Sequence, residues 1–117
     1  MLRYDLLETH VRIEAIGETR PEEWLKALAE LKQLAGDRSM DAVLDFSRHE
    51  STIPNTTINT LVSRISTRAR RRKWAFVVTR PLAVGLVNLV RRSLNAANIE
   101  VATFETAADA EQWIVER

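Results

Sequence analysis

The apolar positions of this chain change period several times, and each change marks an element. Val11, Ile13 and Ala15 alternate with Arg12 and Glu14, the two-residue repeat of a strand with one buried face. An earlier strand around Arg3–Leu7 is expected to pair with it as a hairpin, turning near Glu8 and Thr9, and Gly17 ends the second strand. Pro21, followed by Glu22 and Glu23, opens a helix. Proline lacks the N–H that a first turn leaves unbonded, and carboxylates suit the positive end of the helix dipole. Trp24, Leu25, Leu28, Leu31 and Leu34 then recur at helical spacing as apolar contacts, and Gly36 supplies the stop.

The run Ala42–Phe46 reads as a short buried strand, and the polar residues from Ser47 to Asn55, with Pro54 among them, as a loop. A second helix begins near Asn55–Thr57 and carries Ile58, Leu61, Val62, Ile65 and Ala69 on one face, with arginine crowding its last turn. Trp74–Thr79 is the clearest buried strand. Pro81 starts a third helix with Val84, Val87, Leu89, Val90 and Leu94 as its apolar contacts, and Asn98 marks its stop. Ile99, Val101 and Thr103 alternate with Glu100 and Ala102 in a last strand. Thr106 with Asp109 forms a capping box that opens a final helix through Trp113 and Ile114. The order β-β-α-β-α-β-α-β-α implies an α/β protein whose sheet is mostly parallel, with the N-terminal hairpin as its antiparallel edge. Without repeats, low-complexity tracts or Gly/Ser linkers, residues 1–117 are expected to form one domain.

This layout resembles the SpoIIAA-like family, a STAS-type fold related to the CRAL-TRIO lipid-binding fold. The resemblance rests on Val11–Gly17, the Pro21–Trp24 helix start, Ala42–Phe46, Trp74–Pro81, Gly85, Phe104, Ala110 and Trp113-Ile114, and covers nearly the whole chain. It implies a mixed sheet with helices and a non-enzymatic binding module, often dimeric. Sporulation-type members switch partners through a phosphorylated Ser in an Asp-Ser-Ser/Thr-Gly motif at the second helix. Here Asn55-Thr56-Thr57-Ile58 stands in that neighbourhood without the acidic residue or the glycine. Thr56 and Thr57 are the candidate phospho-switch positions, and their hydroxyls read first as helix caps.

Composition narrows the chemistry. The chain has no cysteine, which removes disulfides, thiolate nucleophiles and Cys-ligated zinc together and fits a reducing, cytoplasmic compartment. Its N-terminus lacks the apolar core of a signal peptide, and its longest apolar runs are too short to cross a bilayer. Three scattered glycines make no phosphate-binding loop. Asp45, Ser47 and His49 are the residue types of a hydrolytic triad, and alternation sets them on one side of an extended segment. The serine stands in the middle, where the histidine is required, so no catalytic residue is assigned. His10 and His49 belong to no spaced ligand pair, so no metal and no cofactor is expected.

Charge changes the picture most. The net charge is +1, yet residues 51–99 hold nine basic side chains and no Asp or Glu, leaving all 16 acidic residues to the flanks. Arg64, Arg68, Arg71, Arg72, Arg91 and Arg92 are the candidate binding residues, on a basic surface of helices two and three. The bland alternative is a solvated helix end that complements the dipole. Acidic flanks and the lack of stacking aromatics argue against nucleic acid. A protein partner is the leading expectation. A homodimer joining basic segment to acidic flank, and an anionic lipid-like ligand held between arginines and apolar helix faces, are the further ones.

Overall fold

The computed structural model describes residues 1–35, 40–50, 55–63 and 72–116, and among them the elements follow the expected order. Strands β1 (Leu2–Leu6) and β2 (His10–Gly17) lead to helix α1 (Pro21–Ala35), strand β3 (Asp41–His49) and helix α2 (Asn55–Ser63). Strand β4 (Arg72–Val77), helix α3 (Pro81–Ala96), strand β5 (Ile99–Phe104) and helix α4 (Ala107–Val115) complete the set. The five strands lie in the order β1-β2-β3-β4-β5. β1 runs antiparallel to β2, with Leu2 opposite Ala15 and Leu6 opposite Val11. Every later pairing is parallel.

Because each new parallel strand is added on the same side, right-handed crossovers place α1, α2 and α3 on one face of the sheet. Strand alternation supplies the apolar surface they cover. Ala42 and Leu44 of β3, Phe76 of β4, and Ile99 and Val101 of β5 pack with Val78 and with Val87 and Leu94 of α3. Trp24 of α1 joins this layer through Ala15, Ile13, Phe46 and Val90. The odd-numbered residues of β3 and β4 face the other way, where Val43, Ala75 and Val77 pack against Ala110 and Ile114 of α4. Thus one strand pattern builds two cores, a broad one under three helices and a narrow one under the last.

The capping signals act as read. The Thr106 hydroxyl accepts the Asp109 N–H at 3.2 Å at the start of α4, and Pro81 occupies the first turn of α3. Past the end of α3, Asn98 has φ +64°, the left-handed stop that asparagine tolerates. Two side chains depart from the sequence reading. Leu34 and Leu89, expected in the core, are 59% and 66% exposed. Leu89 sits about 200° around the helix from the buried Val87, so it faces outward while Val84, Val90 and Leu94 face in. The stretch read as a loop from Ser47 begins later, because β3 continues through His49. Ile65 and Ala69, assigned to helix two, lie outside the described residues.

Candidate interaction surface

The acid-free segment places its described basic residues in two opposite settings. Arg72 and Lys73 do not close helix two; they open β4 and point to opposite faces of the sheet. Arg72 is only 8% exposed, and its Nη2 donates to the carbonyl of Ala97 at 3.1 Å, at the C-terminus of α3. Lys73 reaches the other face, where Nζ donates to the carbonyls of Trp113 at 3.1 Å and Glu116 at 2.8 Å. The same ammonium stands 5.0 Å from the centre of the Trp113 ring. Carbonyls at a helix C-terminus lack intrahelical donors and carry the negative end of the dipole, so a cation there both satisfies and anchors them. Two consecutive residues thereby tie two helices to one strand.

Arg91 is half-buried and also turned inward: Nη1 donates to the carbonyl of Val101 in β5 at 2.8 Å. As part of an open binding surface, Arg72 is therefore corrected to an anchor, and Arg91 is largely committed to β5. Arg92, by contrast, is exposed on the outer face of α3, together with Gly85, Asn88 and Leu89. These positions recur at helical spacing, so Leu89 and Arg92 stand one turn apart on one solvent-facing stripe. Arg80, just before α3, is exposed as well. α2 packs beside α3, as the sequence reading supposed. Arg64, Arg68 and Arg71 lie outside the described residues.

Thr56 is exposed and Thr57 is 6% exposed; both sit inside the first turn of α2, so neither is the residue that precedes it. The Thr56 carbonyl accepts the Thr60 hydroxyl at 2.9 Å. Of the two, only Thr56 presents its side chain to solvent.

A second arrangement escaped the sequence because it depends on an irregularity. The β2–β3 register slips by one residue between Glu14 and Ile16, where β3 carries an extra residue. Asp45 stabilises that bulge: its Oδ1 accepts the Ser47 N–H at 2.9 Å and the Ser47 hydroxyl at 2.6 Å. The extra residue reverses the alternation, so His49 leaves the side of Asp45 and joins Phe46 under α1. Its ring lies 5.6 Å from that of Phe46 and 6.4 Å from that of Trp24, edge-on to both. Thr19 links the group, receiving the Trp24 Nε1–H at 2.8 Å and bonding His49 Nε2 at 2.9 Å. Burial lowers the His49 pKa from its ordinary 6.5, with the terminal ammonium and Arg80 acting in the same direction. Asp45 and Ser47 are thus hydrogen-bonded to each other while His49 lies on the opposite face of the sheet, and the three form no triad.

The other histidine ties β2 to α4. Glu111 sets Oε2 2.6 Å from His10 Nε2 and takes both Nε and Nη2 of Arg12 on Oε1, at 2.8 and 2.6 Å. His10 and Arg12 share a face by strand alternation, but their partner lies about a hundred residues on, beyond the reach of local patterning. On the α1–α3 side of the sheet, Phe46 stacks between Trp24 and Phe76, with ring centres 5.5 and 6.2 Å away. Among the described residues no three His, Cys, Asp or Glu gather as a metal site, and no helix is long and apolar enough to cross a membrane.

The sequence matches no family model and no curated protein. Its structure is similar to the crystal structure of a DUF3478-family protein from Shewanella loihica, described as having a SpoIIAA-like fold. The likeness has a TM-score of 0.67 at 16% identity and covers 97% of this chain and 92% of that one. With its parallel sheet, N-terminal hairpin and order of helices, this chain has the SpoIIAA-like fold.

Proposed function

We propose that this protein is a non-enzymatic regulatory or scaffolding module that binds an acidic protein surface through the outer face of α3 and the neighbouring arginines. The observation that carries this reading is the exposed pair Leu89 and Arg92. An apolar side chain 66% exposed, one turn from an arginine, offers the small apolar centre and charged rim of a protein contact. The surrounding sequence adds the means of attraction, because no carboxylate occurs between residues 51 and 99 to offset the positive field. Arg64, Arg68 and Arg71 belong to the proposed surface; Arg72 does not, since its guanidinium is spent on α3.

The test is a triple charge reversal, R68E/R71E/R92E, combined with cross-linking of the tagged protein in lysate and mass spectrometry. Wild type should enrich acidic proteins in a salt-sensitive manner, and the variant should lose them while melting at the wild-type temperature. Equal enrichment by both proteins would contradict the proposal. A thermal shift with anionic, apolar-tailed lipids that disappears in the same variant would assign the surface to a lipid-like ligand instead.

A further inference from the structure

The sheet has two edges, and they are finished differently. At β5, the outward carbonyl of Val101 is taken by Arg91 of α3. At β1, the hairpin register fixes which groups face out. The Leu7 N–H bonds to the His10 carbonyl at 2.9 Å, and the Ile16 N–H to the Met1 carbonyl at 2.9 Å. Odd-numbered residues of β1 therefore bond to β2, while Leu2, Tyr4 and Leu6 aim their N–H and C=O groups away from the sheet.

The side chains of that edge are self-complementary. Leu2-Arg3-Tyr4-Asp5-Leu6 is apolar at its ends and centre, with opposite charges placed symmetrically about Tyr4. Setting a second copy antiparallel, Tyr4 opposite Tyr4, brings Leu2 opposite Leu6 and Arg3 opposite Asp5 on both sides of the centre. The backbone requires the same register: the outward groups of Leu2, Tyr4 and Leu6 would form about six N–H···O bonds. Arg3 and Asp5 would then occupy the non-hydrogen-bonded pairs, where side chains approach most closely. A shift of two residues in one direction sets Arg3 against Arg3, and in the other Asp5 against Asp5. Charges on an edge strand ordinarily prevent pairing; here their arrangement favours one pairing and opposes its neighbours.

We propose that two copies of this chain associate through antiparallel β1–β1 pairing centred on Tyr4. The two-fold axis stands perpendicular to the sheet, so Leu2, Tyr4 and Leu6 of both copies share the α1 face and the charges share the other. The contact is independent of the arginine surface on α3. A strand of five residues buries little area, so the association is reversible, with a dissociation constant on the order of micromolar.

Sedimentation velocity on wild type, R3E, D5K and an equal mixture of the two variants tests this pairing. In each variant alone both cross-axis pairs become like-charged, whereas in the mixed dimer both are again opposite. Wild type should dimerise as concentration rises, each single variant should weaken the dimer by roughly tenfold or more, and the mixture should restore it. Both side chains are exposed, and far-UV circular dichroism checks that the variants fold. Hydrogen exchange on wild type supplies a readout that needs no variant: the Leu2, Tyr4 and Leu6 amides should slow as concentration rises, and those of Arg3 and Asp5 should be slow throughout. A wild type that stays monomeric at every concentration, a dimer untouched by R3E and D5K, or a mixture that fails to recover would overturn the proposal. So would protection of those amides only when another protein supplies the added strand.

Discussion

The start of β4 and the outer face of α3 draw their cations from the same acid-free stretch and use them in opposite ways. Arg72 and Lys73 turn inward onto carbonyls that end α3 and α4. Arg92 turns outward beside Leu89 and meets solvent. The difference teaches that a basic run is not a binding surface by composition. Its charge is divided first by strand alternation, which sends neighbours to opposite faces, and then by the helix ends that need donors. What remains outside is available for a partner.

Removing an inward cation should have the largest effect. Arg72→Ala leaves the Ala97 carbonyl without its charged donor inside the protein and also deletes a buried stem. A loss of about 2–3 kcal/mol is expected, measured as a lowered urea midpoint at unchanged slope. Lys73→Ala removes a more exposed cation from the last carbonyls of α4 and should cost about 1 kcal/mol in the same experiment. If both substitutions left the midpoint where it was, the anchoring role would be wrong.

His49 sharpens the comparison, because it is an inward group set among aromatic rings, where burial disfavours its charged form. Its neighbours are Trp24, Phe46 and Thr19, and burial lowers its pKa. The native state therefore stays neutral where the unfolded chain, near 6.5, takes up a proton. The unfolded state then binds more protons, so stability should be highest above about pH 6.5 and fall as the pH drops below it. His49→Asn should flatten that slope relative to wild type in chemical denaturation at a series of pH values. An unchanged slope would show that the imidazole is not what titrates.

The outward cation should have the smallest effect on folding. Arg92→Glu should shift stability by no more than about 0.5 kcal/mol, as expected for an exposed position without partners among the described residues. Leu89→Asp belongs with it: the fold should tolerate the change, while partner capture falls.

Much of the architecture was legible because local signals agreed with one another. Pro21 and Pro81 begin helices where expected, and Thr106 caps α4 through the Asp109 N–H. The alternation of Val11, Ile13 and Ala15 gives the buried face of β2 correctly. The errors came where a side chain's direction depends on something non-local. Leu89 is a local exception: its apolar identity suggests the core, but its helical phase, two residues from the buried Val87, turns it to solvent. Simple alternation puts His49 with Asp45 and Ser47, and a one-residue bulge, visible only in the β2–β3 register, turns it to the other face. Arg72 stands in a basic run that reads as surface, and the demand of α3 for a donor at Ala97 does not appear in the arginine's own neighbourhood. The pairing of Glu111 with His10 and Arg12 required α4 to return across the sheet.

The division between anchoring and partner-facing cations is tested most directly by following folding and binding together in two variants, Arg72→Ala and R68E/R71E/R92E. Each would be measured for urea midpoint and for salt-sensitive capture of cross-linked acidic proteins, with capture scored on the folded fraction. The account predicts that Arg72→Ala lowers the midpoint and keeps capture, and that the triple reversal keeps the midpoint and reduces capture by roughly tenfold. A triple reversal that captures as well as wild type, or an Arg72→Ala protein that is fully stable but no longer binds, would contradict it.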